Sequence, residues 1–232
     1  MIYEISLEDV LDKEILCNEI YADLSHDYYW SDDYSVEFYI TLAQLGFITI
    51  AIKYEGQELL LPQIQTHYAL LEHKDQHISH HVKKLLRNPN RYSLTFNERF
   101  SEVVEGIKQS YEDCWFHDQY EKLLLNLHEG DFTNFQMIST ELIDTHTNTL
   151  ICGELGYITH NIYTGLTKFS LKDKEHINWG TLQRVLLTQH LEKQGVLFSN
   201  LGQPKMQYKL DLGAIVYPRK EFLQKCGIIS RV

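Results

Sequence analysis

The chain has 232 residues, 44% hydrophobic and 23% charged, which is a globular composition with enough residues for one large or two small domains. The formal net charge of −11 argues against a strongly basic nucleic-acid-binding domain, although a local basic patch can still contact phosphates. No apolar run is long enough to span a membrane, and the N-terminus lacks the regions of a signal peptide.

The cysteines and histidines indicate neither disulfides nor a metal site. The four cysteines are scattered along the chain, at Cys17, Cys114, Cys152 and Cys226. Because no C-x-x-C pair occurs, zinc and structural disulfides are not expected, and a reducing cytoplasm is the predicted location. His77, His80 and His81 are close in sequence but have no acidic or cysteine ligand at a suitable spacing, so no metal is predicted.

The first third of the chain predicts one helix followed by strands. Residues 1–31 mix acidic and aromatic residues without a clear period. A helix capped by Asp32 or Asp33 comes next and ends at Gly46, which suits a left-handed stop. The strands expected after it cover residues 47–53, 58–61 and 67–71.

The middle of the chain predicts three helices and one strand. Ser79 caps a helix over 80–87, and Asn97 caps another whose apolar residues recur at helical spacing. The strand between them covers 92–96, and the third helix closes at Gly130.

The second half predicts meandering strands and a crossover helix. Asn178 caps this helix, and a short final helix begins at Lys220. The mixture of meandering strands and crossover helices predicts an α/β or α+β layered sheet. The strands are expected at 135–144, 149–158, 162–169 and 196–200.

One carboxylate stands out within the strand over 149–158. Glu154 lies among apolar neighbours, and burying an unpaired charge is costly, so a buried Glu154 needs a partner. Gly153 permits a β-bulge that turns Glu154 toward a pocket. The alternative is a bulged strand with Glu154 turned to solvent.

Several short motifs occur in an order that resembles the leucyl/phenylalanyl-tRNA–protein transferase family, from about residue 32 to residue 223. The motifs are His77-Ile-Ser79, Tyr92, Glu102-Val-Val-Glu-Gly106, Trp115, Ile151-Cys-Gly-Glu154, Gln203, Leu212-Gly-Ala214 and Pro218-Arg219. The resemblance implies a mixed sheet of the acetyltransferase (GNAT) type flanked by helices over residues 76–232, with a smaller N-terminal domain over residues 1–75. It also implies transfer of Leu or Phe from tRNA to the N-terminal Lys or Arg of a protein, which marks that protein for degradation.

The sequence departs from the family pattern at several positions. Phe47-Ile-Thr-Ile50 replaces Phe-Pro-Trp, and Leu61-Pro-Gln-Ile-Gln-Thr-His-Tyr68 replaces Trp-Ser-Pro-Asp-Pro-Arg, without its arginine. Cys-Gly-Glu-Ser-Met-Phe is here Cys152-Gly-Glu-Leu-Gly-Tyr157. The family's Asp-Cys-Gln falls on Leu201 to Gln203, or on Ser199 to Leu201 with a two-residue insertion. Either alignment lacks the Asp, so the chain resembles a divergent member.

The reaction that the resemblance implies is aminolysis of an ester by a neutral α-amine. Holding amine and ester together contributes about 7–11 kcal/mol to such a reaction. Gln203 is the candidate that orients the amine, and Glu154 the candidate that holds the cationic substrate N-terminus or the terminal adenosine. We expect both side chains to face one cleft, where the strand through Cys152 and the strand ending near Asn200 lie side by side.

Further residues are candidates for binding the two substrates. Trp115 is a candidate to stack on the terminal adenine, the alternative being a core tryptophan. An apolar aminoacyl side chain is expected near Ile151 and Tyr157, with Ser199 as a further substrate contact. The residues expected to contact tRNA phosphates are Lys83, Lys84, Arg87 and Arg91.

The predicted partners are aminoacyl-tRNA and the N-terminus of an acceptor protein, with no membrane and no cofactor. An alternative is an acyl-CoA-dependent N-acyltransferase of the same fold. The glycine-rich run typical of those enzymes does not occur before Asn178, which argues against it. A second alternative is a non-catalytic module that binds protein N-termini.

Overall fold

The computed structural model describes residues 2–111 and 115–230, so Cys114 lies outside the described residues. The N-terminal elements are β1 (Tyr3–Glu4), α1 (Leu7–Leu11), a π-helical turn (Ile15–Ile20), β2 (Tyr29–Trp30), α2 (Val36–Gln44), β3 (Ile48–Tyr54) and β4 (Gln57–Gln63). The next are β5 (His67–Glu72), α3 (His80–Leu86), β6 (Tyr92–Phe96), α4 (Phe100–Ser110) and α5 (Asp118–Glu129). The last are β7 (Gln136–Asp144), β8 (Thr149–Thr159), β9 (Ile162–Ser170), α6 (Trp179–Lys193), β10 (Phe198–Asn200), α7 (Gln207–Asp211), β11 (Ile215–Pro218) and α8 (Arg219–Lys225).

Seven of these strands form one mixed sheet in the order β11-β5-β10-β9-β8-β7-β6. Neighbouring strands are antiparallel except for β9 and β10, which are parallel and joined through α6. A parallel pair needs such a crossover connection, whereas the antiparallel strands β7 to β9 are joined by short turns. The sheet flanked by helices confirms the predicted mixed α/β class.

The two faces of the sheet carry different helices. On one face α4 packs against β8 and β9 and α5 against β7, and on the other α6 packs against β7, β8 and β9 with α3 beside it. Gly153 faces α4, because a Cβ at this position would lie 2.9 Å from Val103 and 2.4 Å from Phe169. Since side chains alternate along a strand, Glu154 points to the opposite face, toward α6.

Gly153 is therefore not the site of a bulge, contrary to the prediction. The register shifts opposite Leu142 and Ile143, where Ile151 is the extra residue on β8, and again between Leu155 and Gly156. Gly153 itself pairs regularly with its neighbours on both sides. The glycine serves close helix packing, and the alternation of the strand suffices to turn Glu154 toward α6.

The capping predictions are correct at some helices and wrong at others. Ser79 accepts a hydrogen bond from the Val82 amide as predicted, and Gly46 has a φ of +88°. Ser35, not Asp32 or Asp33, caps α2 through the Phe38 amide. Asn97 precedes α4 in the left-handed region, and its side chain accepts from the Ser139 amide of β7 instead of capping the helix.

Arg219 connects the two ends of the chain. It is 1% exposed, and its guanidinium donates to the backbone carbonyls of six residues, Ile20, Tyr21, Asp23, His26, Ile64 and Gln65. These carbonyls lie in the segment between the π-helical turn and β2 and in the link from β4 to β5. The Pro218-Arg219 motif thus has a structural role.

The N-terminal elements share a core with the sheet. β3 and β4 form a separate hairpin, and the Tyr120 hydroxyl of α5 donates to the Thr49 carbonyl of β3 at 2.8 Å. Strand β5 precedes the boundary suggested at residues 75 and 76 but lies inside the seven-stranded sheet. The division into two domains stays a prediction. Within the described ranges, no helix has the length and apolar character needed to cross a membrane.

Candidate active site

A cavity of about 610 Å³ lies between the middle of β8 and β9, the first turn of α6 and the segment over residues 201–209. Its polar wall contains Glu154, Lys168, Arg184 and Lys209, and its rim includes Tyr111 and Tyr208. Asn178, Gly180 and Thr181, around the N-terminal end of α6, complete the lining on that side. The cavity therefore combines one carboxylate, three cationic side chains and aromatic surface.

Glu154 forms the centre of a buried polar cluster at this wall. Its Oε1 accepts hydrogen bonds from the Arg184 guanidinium at 2.5 Å and from the Tyr163 hydroxyl at 2.9 Å. Glu154 is 1% and Arg184 7% exposed. Among the described residues, Glu154 Oε2 and Arg184 Nη1 are both buried without a hydrogen-bond partner. The predicted need for a partner of Glu154 is confirmed, and the solvent-facing alternative is wrong.

The backbone leaves room for this pair at Gly165. A Cβ at residue 165 would lie 3.0 Å from Glu154 Oε1 and 3.5 Å from Arg184 Nη2. Any larger side chain would crowd the ion pair. Helix α6 is fixed above the pair by Gln183, whose amide donates to the carbonyls of Thr140 and Cys152 at 3.0 and 3.2 Å.

The cations of the cavity differ in their electrostatic surroundings. Burial, the largest single effect, lowers the pKa of Arg184, but Glu154, Tyr163 and Tyr208 together raise it above its ordinary value. Burial, reinforced by Arg184, lowers the pKa of Lys168 and brings that of Lys209 to about 8. Arg184 therefore has an anionic partner, whereas Lys168 and Lys209 lie in environments that disfavour their charge.

The structure does not bring Gln203 into this cavity. Its side-chain amide donates to the Tyr28 hydroxyl at 2.8 Å, and only its backbone carbonyl, which accepts from Lys209 Nζ at 2.7 Å, contacts the cavity wall. The expectation that the strand through Cys152 lies beside the strand ending near Asn200 is wrong, because β9 separates β8 from β10. Gln203 as the residue that orients the amine stays a prediction.

The other residues predicted to contact substrate lie in separate places. Trp115 is half-buried and packs on Phe116 and Tyr120, with ring centroids 4.8 and 5.4 Å apart. Ile151 packs under α6, whereas Tyr157 lies in the core on the other side and donates to the Phe47 carbonyl. Regular alternation along β8 would put Ile151 and Tyr157 on the same face of the sheet. The bulge at Ile151 interrupts the alternation, so the two side chains lie on opposite faces. The two residues thus do not form one pocket wall.

Ser199 lies inside the sheet. It is fully buried, and its hydroxyl lies 3.1 Å from His73 Nε2. A role for Ser199 in substrate binding stays a prediction.

The basic cluster divides into an exposed part and an internal part. Lys83, Lys84 and Arg87 are exposed on and after α3, which packs beside α6. Arg91 pairs instead with Asp144 at 2.7 Å and with Glu175, and its guanidinium lies 5.8 Å from the Trp179 ring centroid. Three of the four residues thus remain available to a phosphate backbone, and Arg91 stabilises the loop before α6.

Sequence reasoning did not find the cationic residues of the cavity. Arg184 lies thirty residues after Glu154, on a helix whose buried residues include polar and charged side chains as well as apolar ones, so no apolar period singles it out. Lys168 is the direct cross-strand partner of Glu154 only because β9 has an extra residue, Leu166, opposite Leu155 and Gly156; the short turn alone would pair Glu154 with Thr167. The strand pattern therefore contained no signal for Lys168, Arg184 or Lys209.

The protein is thus a mixed sheet flanked by helices, and a buried carboxylate–guanidinium pair forms part of the wall of a cavity large enough for a ligand. The family model for leucyl/phenylalanyl-tRNA protein transferase matches residues 70–227. The chain belongs to this family, which confirms the predicted resemblance and the enzyme class of an acyl- or aminoacyl-transferring protein. None of the curated protein sequences matches the chain.

Solved structures with a similar arrangement are distant in sequence. The L-PGS structure from Bacillus licheniformis has 11% identity and a TM-score of 0.42 over 72% of this chain and 49% of that one. A GCN5-related N-acetyltransferase from Kribbella flavida has 12% identity and a TM-score of 0.39 over 66% and 53%. A conserved protein of unknown function from Staphylococcus epidermidis has 8% identity and a TM-score of 0.44 over 94% and 79%. The chain spans about half the length of the first two.

Proposed function

We propose that the protein transfers an apolar aminoacyl group, leucyl or phenylalanyl, from tRNA to the N-terminal amine of an acceptor protein, and so marks the acceptor for degradation. Family membership supports the donor and the reaction class. The cytoplasm, which supplies aminoacyl-tRNA, is the compartment we propose. The observation on which the proposal rests most is that Glu154 lines the cavity and has a buried oxygen, Oε2, with no hydrogen-bond donor among the described residues.

Glu154 is suited to bind an amine. Its Oε1 is fixed by Arg184 and Tyr163, so the carboxylate cannot rotate without breaking both hydrogen bonds. Oε2 is buried and, among the described residues, has no donor. A substrate amine that enters the cavity satisfies this acceptor, and a charge-assisted hydrogen bond of this kind contributes about 1.5–3 kcal/mol.

The transfer is an aminolysis. The nitrogen lone pair of the neutral amine attacks the ester carbonyl carbon, forming the new C–N bond of an amide. The C–O bond to the ribose then breaks, and the ribose oxygen leaves as a hydroxyl after taking up the proton that the amine nitrogen loses. Because a free α-amine has a pKa of about 7.7–8.0, a neutral fraction exists at physiological pH, and the main task of the site is orientation.

The Glu154→Gln variant tests this role. It retains an oxygen acceptor but removes its charge, so we expect transfer at limiting peptide concentration to fall by about 10–100-fold through a raised KM. The assay measures label moved from Leu-tRNA or Phe-tRNA to synthetic peptides with a free N-terminus. Glu129→Gln, at an exposed position at the end of α5, is the matched control.

A thermal melt of each variant separates loss of activity from loss of fold. A folded Glu154→Gln protein with unchanged KM and kcat would refute the role of Glu154. Label transfer from neither tRNA to any peptide by the unmodified protein would refute the proposed function itself.

tRNA is proposed to bind over α3. Lys83, Lys84 and Arg87 are exposed, and α3 packs beside α6, whose first turn lines the cavity. Reversing the charge at Lys84 and Arg87 should weaken tRNA binding at least about tenfold at low salt. It should also reduce the slope of log affinity against log salt by about 2, because two phosphate contacts no longer release counterions.

The control for this experiment makes the same change in net charge elsewhere. Lys53 on β3 and Lys122 on α5 are exposed and lie away from α3, so their double reversal should leave the salt slope unchanged. Equal effects of the two double variants on tRNA affinity would show that the protein's overall charge, and not α3, governs binding.

The acyl-CoA-dependent alternative is favoured by one specific observation. The N-terminal end of α6 lines the cavity beside Lys168 and Arg184, and such an end attracts phosphate groups. Incubation with labelled acetyl-CoA and the same peptides distinguishes this alternative, because only an acyl-CoA enzyme acetylates them. Peptide binding without transfer from either donor would favour the non-catalytic binding module.

A further inference from the structure

The charge of the cavity is opposite to that of the whole protein. The protein carries a formal net charge of −11, yet the side chains that line the cavity include three cations, Lys168, Arg184 and Lys209, and one carboxylate, Glu154. Arg184 already compensates Glu154 through the 2.5 Å contact. Among the side chains that line the cavity, two lysines thus remain without a compensating charge in a concave, partly buried site, where electrostatic attraction is stronger than at an open surface.

Over residues 2–111 and 115–230, neither Lys168 nor Lys209 has an anionic partner within ion-pair distance. Lys209 Nζ donates to the neutral carbonyls of Leu201 and Gln203, and Lys168 lies 5.9 Å from the Tyr208 ring centroid. Arg184 adds a buried Nη1 without a partner in the described part of the chain. Buried cations without compensation are costly, so an anionic ligand stabilises them.

From this geometry we infer that the acceptor is a polypeptide whose first residue is acidic, Asp or Glu. This inference rests on the proposed function. An amine held by Glu154 Oε2 places the acceptor's own first side chain next to the residues around Glu154. Lys168 is the cross-strand partner of Glu154, and Arg184 contacts it directly. A side-chain carboxylate there compensates the lysines, whereas a lysine or arginine side chain adds a fourth cation.

The site favours a carboxylate on the acceptor over a phosphate of the RNA. Arg184 and Lys209 are 7% and 4% exposed, so these cations lie within the cavity wall and not on an open surface that tracks a nucleic-acid backbone. The exposed cations proposed to contact phosphates lie on and directly after α3 instead. An acidic first residue also carries, within one residue, the amine and the carboxylate that the cavity wall is suited to bind.

The test uses the full chain and four peptides that differ only in the first residue: Asp, Glu, Lys or Arg. We expect transfer of labelled Leu at limiting peptide to be at least about tenfold faster for the acidic pair. Lys168→Gln should reduce this preference about tenfold through KM. The fold should be retained, since the ammonium group of Lys168 forms no hydrogen bond or ion pair in the described structure, and the backbone hydrogen bonds of the residue are unaffected. Lys172→Gln, at an exposed position outside the cavity, should retain it.

Each alternative outcome has a distinct meaning. Faster transfer to the Lys or Arg peptides would overturn the inference and leave the proposed function intact. If no peptide is labelled, the proposed function fails, and binding of fluorescent peptides then decides the inference: Lys168-dependent preference for the Asp peptide supports it, and its absence overturns it. A Lys168→Gln protein that binds tRNA more weakly but keeps its peptide preference would assign the cation to RNA and overturn the inference.

Discussion

Replacing Arg219 with methionine is expected to lower the free energy of unfolding by about 3–5 kcal/mol. The methionine side chain fills much of the same volume but donates no hydrogen bonds. Six backbone carbonyls then lose a charged donor at a site that is 1% exposed. Denaturant unfolding followed by circular dichroism measures the change. The N-terminal segment before β2 should also become sensitive to proteolysis before the sheet unfolds.

The adjacent residue provides the control. Lys220→Met removes a charge at an exposed position on the same helix, so it should change stability by no more than about 0.5 kcal/mol. Arg219→Lys is expected to recover little of the lost stability. An ammonium group has only three donors at one point, so it cannot donate to all the carbonyls that surround the wider, planar guanidinium. A loss of less than about 1 kcal/mol for Arg219→Met would contradict this account.

Replacing Arg184 alone with methionine is expected to destabilise the protein by about 3–5 kcal/mol, because Glu154 then remains as a buried charge without compensation. The double variant Arg184→Met with Glu154→Leu should regain most of this loss, since an apolar pair of similar volume avoids the cost of desolvating two charges. The double variant should nevertheless have no transfer activity, which separates the contribution of the pair to stability from its contribution to catalysis.

A double-mutant cycle quantifies the pair. We expect an interaction energy of at least about 2 kcal/mol between residues 154 and 184 from the unfolding free energies of the two single variants and the double variant. Lys193→Met, exposed at the end of the same helix, controls for loss of a cation from α6. Additive effects within about 0.5 kcal/mol would mean that the two residues are energetically independent despite their contact.

Sequence patterns predicted a helix or strand well where the spacing of apolar residues within that one segment matches the face that is buried. Strand β6 has the predicted bounds, and the apolar residues that recur at helical spacing in α4 are all buried, namely Phe100, Val103, Val104 and Ile107. The predicted cap of α3 also forms. In each case the signal, a periodic pattern or a cap, lies within one short segment, although the burial of α4 and the pairing of β6 also require β7, β8 and β9.

The pairing of distant segments was not predictable from the same patterns. Glu154 was identified as a carboxylate in need of a partner, but the identity of Arg184 depends on how α6 crosses the sheet. β11 and α7 were not expected, because their exposed or short apolar sequences have no clear period. The proposed cleft with Gln203 required β8 and β10 to be neighbours, and β9, the next strand after β8, takes that place instead.

The position of β5 has a consequence for biosynthesis. This strand is made early, yet both of its sheet neighbours, β10 and β11, are made near the end of the chain. During translation, the backbone N–H and C=O groups of β5 and of the β9 edge that later pairs with β10 therefore remain unpaired until the end of the chain is synthesised. Such unpaired strand edges promote aggregation. Completing the sheet is then a late, high-contact-order step that should limit the refolding rate and make the nascent chain dependent on chaperones.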